Sequence, residues 1–166
     1  MDRVTRDGLL ETVRTDRARF DAIVAGLSRD HLTDPILPGD WSVKDVLAHI
    51  AWGDREAIGV IEARALVGSE LWEIDQDARN DAVVRESRRL TLDEVLDEYR
   101  DSFAEYAAAL ENLSDDDLNE PQRISGLTDR IPGWLPWRVL YDPGHYEEHG
   151  RTIESALGDR ERTWRN

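Results

Sequence analysis

The sequence predicts an all-α protein, a four-helix bundle with a long connection between its second and third helices. Three observations predict it. Four segments carry apolar residues at three- and four-residue spacing, the period of a helix with one buried face. Two of them open on a capping-box pattern, in which a Ser or Thr and an acid three residues later satisfy the first free N–H groups. No alternation of period two persists long enough to make a strand. At 166 residues and 40% hydrophobic composition, residues 1–166 are expected to form one domain with its own core.

The first helix is expected from about Thr5 to Leu27, on the stripe Leu9, Val13, Phe20, Ile23, Val24 and Leu27. Gly26 and Ser28 weaken its end, and Asp34-Pro35 and Pro38-Gly39-Asp40 mark a loop. The second begins at Ser42, which forms a capping box with Asp45, and Trp41 precedes it as a staple residue. Its stripe is Val46, Ile50, Ala57, Ile58 and Ile61, with Gly68 as the expected stop. Ser69 to Leu90 reads as a polar crossover with a short helix near Asn80 to Arg88.

The third helix is the clearest. Thr91 and Glu94 cap it, and Leu92, Val95, Leu96, Tyr99, Phe103, Tyr106, Leu110 and Leu113 line one face. Ser114 to Pro121 ends it, and Gln122 to Trp137 reads as a loop. The fourth reaches Leu157, with Gly158 as its stop. Two starts fit Pro143: a helix from Pro136 that kinks there, or Asp142 as N-cap with Pro143 at the first helical position. The polar tail Asp159 to Asn166 is expected to fray.

Composition limits the chemistry. There are 36 acidic against 21 basic residues, a net charge of −15, which opposes nucleic acid and anionic lipid as partners. No apolar run approaches a membrane span, and the charged N-terminus lacks the apolar region of a signal peptide, so the cytoplasm is the expected location. With no cysteine, any metal must be held by His, Asp or Glu. Six Trp are many for this length, and Trp41, Trp52, Trp134 and Trp137 are candidates to wall an apolar pocket. Their plainer role is anchoring core and loops.

The histidines carry the functional argument. His145 and His149 are four apart on the stripe Tyr141, His145, His149, Ile153 and Ala156, so they interrupt the face that should pack inward. His49 lies at or near the core face of the second helix. Two imidazoles at i and i+4 chelate one divalent ion, and a third from a facing helix leaves a position open for chemistry. The competing reading is three core or rim histidines hydrogen-bonded to carboxylates. His31 falls in a loop-like stretch and reads as solvated. If Asp142 caps the helix, the dipole lowers the pKa of His145, and Asp142 itself is a cap, an orienting partner or a ligand. His145-Tyr146-Glu147-Glu148-His149 matches H-x-x-E-H, but the chain after it is too short for the helix such peptidases need, and that reading is rejected. Tyr146, Glu147 and Glu148 are candidate proton carriers, of which Tyr146 and Glu148 are taken as the catalytic candidates.

Gly39-Asp40-Trp41-Ser42-Val43-Lys44-Asp45-Val46-Leu47-Ala48-His49 resembles a signature of the DinB/YfiT-like superfamily, and so does His145-Tyr146-Glu147-Glu148-His149 preceded by Asp142-Pro143. The order, one His on the second helix and two on the last, is also similar. Asn80 and Leu92-Asp93-Glu94-Val95-Leu96 resemble the ClbS/DfsB branch. The likeness covers roughly residues 5 to 157. It implies a four-helix bundle, often a homodimer, with His49, His145 and His149 as ligands for zinc, nickel or a similar divalent ion. It also implies use of a low-molecular-weight thiol such as bacillithiol or mycothiol in some members.

The leading functional reading is therefore a metal-dependent hydrolase or thiol-dependent transferase acting on a small reactive electrophile. The alternative is a metal-independent binding or self-protection protein of the ClbS/DfsB type, which sequesters or detoxifies a reactive metabolite. A third is a bundle whose site has no catalytic role.

Overall fold

Each long helix begins where a side chain can satisfy its first N–H groups. Thr5 caps α1 (Arg6–Ala25) by accepting from Gly8 N. The Ser42/Asp45 box opens α3 (Val43–Ala63), and the Thr91/Glu94 box opens α5 (Leu92–Glu111). The last long helix, α9 (His145–Trp164), starts after a turn. The computed structural model describes residues 3–68 and 75–164, with residues 159–164 in backbone alone. Among them there is no strand, only isolated bridges at Leu37–Trp41 and Ala65–Ser125, and the fold is an all-helical bundle.

Shorter elements join the long ones. They are α2 (Arg29–Thr33), α4 (Gln76–Ser87), α6 (Asp115–Asn119), α7 (Leu127–Arg130) and α8 (Pro136–Leu140), with 3₁₀ turns at Pro38–Asp40 and Pro121–Arg123. The expected long connection runs between α3 and α5 and carries α4. α3 packs along α5 and under α4, while α1 packs on α9 and α5. Phe20, Leu47, Leu110, Leu118, Leu127 and Ile153 are fully buried at the centre. Gly150 lets α9 approach α1 closely, because a Cβ there would come within 2.8 Å of Ile23 Cδ1.

Several expected boundaries move. α3 stops at Arg64, in the left-handed region at φ 52°, rather than at Gly68. The chain leaves the helix there to pair with a distant segment: Ser125 N donates to Arg64 O at 2.8 Å, and Leu66 N donates to Ser125 O at 2.9 Å. α4 begins at Gln76, capped by Asp75, rather than near Asn80. The segments read as Ser114–Pro121 and the Gln122–Trp137 loop hold α6, a 3₁₀ turn and α7. Gly158 does not stop α9, whose backbone stays helical to Trp164. A mid-helix glycine costs about 1 kcal/mol, too little to end a helix whose following residues form helix well. Residues 69–74 of the expected crossover, and 165–166 of the expected frayed tail, lie outside the described residues.

Neither expected start of the last helix is found. Pro136 opens the separate α8, the chain extends at Tyr141, and Pro143-Gly144 form a turn with Gly144 at φ 91°. Asp142 does not cap α9 with its side chain; its carbonyl accepts from His145 N at 3.3 Å. Two tyrosines fix this corner. Tyr106 donates its hydroxyl to Leu140 O at 2.8 Å, and the Tyr141 hydroxyl donates to Asp16 on α1.

Candidate metal centre

α3 and α9 each turn a histidine face toward the other. The corner before α9 sets His145 at the first helical position, and one turn later His149 lies on the same side. His145 Nε2 lies 3.1 Å from His49 Nε2 and 2.9 Å from His149 Nε2. All three ligand nitrogens fall within 4.8 Å of one another. The two motifs ninety-six residues apart in sequence thus meet at one point.

Three facing imidazoles cannot satisfy one another. A neutral imidazole nitrogen carries either one hydrogen or one lone pair, so His145 Nε2 can complete a good bond to only one neighbour. With only these two states available, at least one pair among the three nitrogens sets like against like. His49 Nδ1 is buried without a hydrogen-bond partner, so no carboxylate satisfies that ring, as the ordinary core reading would require. Packing holds it instead, with the Trp41 ring edge-on at 5.8 Å between centroids. A cation that accepts all three lone pairs removes the conflict. Metal–nitrogen distances of about 2.0–2.1 Å in tetrahedral geometry separate ligand nitrogens by about 3.4 Å, close to the spacings found. The three residues fit a divalent ion, and this group could bind one.

Electrostatics favour the ligating form. Burial, then His145 and Arg79, lower the His49 pKa to about 4. Burial, then His145 and His49, lower His149 to about 3. Burial also lowers His145, while Asp142 and Glu148 pull it the other way. The lowering expected for His145 is therefore present with a different leading cause. His31 stands apart from the group, half-buried on α2 rather than in a loop.

A cavity of about 250 Å³ opens on the site. His49 and His145 line it beside Trp52, Asp54, Arg79, Asn80, Tyr106, Tyr146 and Glu148. Tyr146 is buried, with its ring 5.8 Å from that of Phe20, and burial raises its pKa. Glu148 is exposed at the cavity edge, and Glu147 points to solvent near Arg151. Of the four tryptophans expected to wall a pocket, only Trp52 lines this cavity. Trp41 backs His49, Trp134 is 42% exposed, and Trp137 lies in a separate groove against α1.

Sequence reading missed Asp54, a buried carboxyl in the cavity wall. The signal was present. Asp54 is four residues after Ile50 and three before Ala57, the inward position that the apolar stripe skips. It also missed Arg17, buried on α1 under the rings of Tyr99 and Phe103.

The family model described as the mycothiol maleylpyruvate isomerase N-terminal domain matches residues 13–142. The chain belongs to that family. The mycothiol maleylpyruvate isomerase N-terminal domain family is a member of the DinB/YfiT-like superfamily, as the two histidine motifs indicated. The matched span contains His49 and Asp54; His145 and His149 lie just beyond it. Neither the curated proteins nor the solved structures yield a match. Among the described residues, no helix is long and apolar enough to cross a membrane.

Proposed function

We propose that His49, His145 and His149 hold a divalent ion, zinc or nickel, and that the protein is a thiol-dependent transferase acting on a small electrophile. The convergence of three imidazole nitrogens beside a cavity carries this reading. The family description names a thiol, which favours thiol transfer over hydrolysis.

When bound, such an ion supplies a positive centre that lowers the pKa of a coordinated thiol. The chain's own groups do the rest. Trp52 and Tyr106 give the cavity apolar walls that exclude water from an electrophile. Tyr146 stays protonated because it is buried, so its phenol is a hydrogen-bond donor for a substrate oxygen. Glu148, at the exposed edge, exchanges protons between the cavity and solvent.

The test follows loss of free thiol when zinc- or nickel-loaded protein meets mycothiol or bacillithiol and a panel of small electrophiles. Turnover with one thiol, abolished by chelation and by His49→Ala in a variant that keeps its helical circular dichroism, is the expected result. Turnover unchanged in His49→Ala contradicts the proposal.

A further inference from the structure

We propose that Asp54 is the acid–base residue of this site, carrying the proton that a bound thiol gives up and the electrophile receives. This rests on the thiol-transfer reading above and adds a residue to it.

The placement comes first. Asp54 is five residues after His49 on α3, about 7.5 Å further along the axis, and both line the same cavity with His145 and Tyr146. Asp54 thus borders the same space as the imidazoles, further along α3.

The second observation is what Asp54 lacks. It is 7% exposed, yet no cation pairs with it among the described residues. Arg17 donates Nε to Asp21 at 2.9 Å and Nη2 to Tyr99 O at 3.0 Å. Arg55, the next residue on α3, turns outward to Glu98 at 2.7 Å and to Glu105. Asp54 accepts one hydrogen bond, from Ser102 Oγ at 3.1 Å. Asp45, buried on the same helix, is a control for a structural role. It accepts from Ser42 N at 2.8 Å and Ser42 Oγ at 2.9 Å, with Arg88 at 3.6 Å. A buried carboxyl without such support is a poor structural device and a suitable acid–base group.

Its surroundings tune it. Arg17 faces it from α1, Ser102, Glu98 and Tyr106 from α5, Tyr146 from α9, and Arg55 from its own helix. Burial and Glu98 favour the neutral acid, whereas Arg17, Ser102 and Arg55 favour the carboxylate. Asp54 is pushed up to about 7, where it can both take and give a proton at neutral pH.

The step balances without an oxidant or reductant. The thiol S–H bond breaks, its proton passes to an Asp54 carboxylate oxygen, and sulfur forms a bond to the electrophilic carbon. The π pair displaced from that carbon moves to its neighbouring atom. That atom takes the proton from Asp54, which returns to carboxylate.

The experiment is Asp54→Asn in the zinc-loaded protein, assayed with a thiol and electrophile that the wild type turns over. A fall in kcat of about a hundredfold or more is expected, with zinc content and KM unchanged and the pH limb near neutrality gone. Ser102→Ala, which keeps the carboxyl but removes its one hydrogen bond, is expected to move that limb to higher pH. In the wild type alone, the infrared difference between pH 6 and pH 9 should show a protonated carboxylic acid band at the lower pH. Asp54→Asn with near wild-type kcat, or an unmoved limb in Ser102→Ala, overturns the assignment while leaving thiol transfer standing. Absence of the band overturns it even if Asp54→Asn does not fold. Wild-type protein with full zinc and no turnover sinks the thiol-transfer reading, and the role of Asp54 with it.

Discussion

Replacing Asp54 by Asn should stabilise the metal-free protein, and by an amount that depends on pH. The side chain is buried, forms no ion pair among the described residues, and is pushed from an ordinary 3.8 up to about 7 in the fold. Its folded pKa is raised, so its favourable contribution is complete below pH 3.8 and is lost as pH rises through 7. Asn keeps the shape and can still accept from Ser102, but never charges. A shift of about three pH units is worth about 4 kcal/mol. Asp54→Asn should therefore gain about 4 kcal/mol at pH 8, about 2 kcal/mol at pH 5 and almost nothing at pH 3. Urea denaturation of chelator-treated protein at several pH values measures this directly. The histidines tilt the other way. His49 and His149, lowered to about 4 and about 3, destabilise the fold as pH falls below 6.5, where the unfolded chain takes up protons that the folded chain does not. Removing Asp54 should thus steepen the rise of stability with pH between 4 and 7. Loss of stability at pH 8, or a gain that does not change with pH, would refute the reasoning.

Other substitutions test the framework around the site. Ile153→Ala, fully buried on α9, should cost about 2–5 kcal/mol in chemical denaturation. Gly144→Ala forces a Cβ into φ 91° at the residue before His145; a cost of about 1–2 kcal/mol is expected, together with weaker zinc binding by calorimetry. Arg17→Met removes the guanidinium that bonds Asp21 and Tyr99 O. It should cost about 1–3 kcal/mol in thermal or urea melts.

Much of the fold was legible because it is written in local pairs. Ser42 with Asp45 and Thr91 with Glu94 form the boxes their spacing promised, and Leu92, Val95, Tyr99, Tyr106 and Leu110 of the expected stripe are the buried face of α5. What failed depends on distant partners. Gly68 is the better local stop, yet the pairing of Arg64 and Leu66 with Ser125 ends α3 earlier. Gly158 carries a stop signal that nothing in the fold uses. Pro143 allowed two helix starts, and the Tyr106 and Tyr141 hydroxyl bonds hold the corner in a third arrangement.

The site divides in the same way. Spacing put His145 and His149 on one face, and the motif order brought in His49; their Nε2 atoms meet. Asp54 went unnoticed because a lone acid in an apolar stripe reads as a solvated charge until burial is known. Trp134 and Trp137 were expected at a pocket because aromatic content counts residues and not directions.

The most direct test of the central claim is metal content. Untagged protein purified without chelator, and the His49→Ala/His145→Ala double variant, would be measured by inductively coupled plasma mass spectrometry. Near-stoichiometric zinc or nickel in the wild type, lost in a folded double variant, is the predicted result. Wild-type protein that carries no metal, binds neither added ion and gains no thermal stability from them would contradict it.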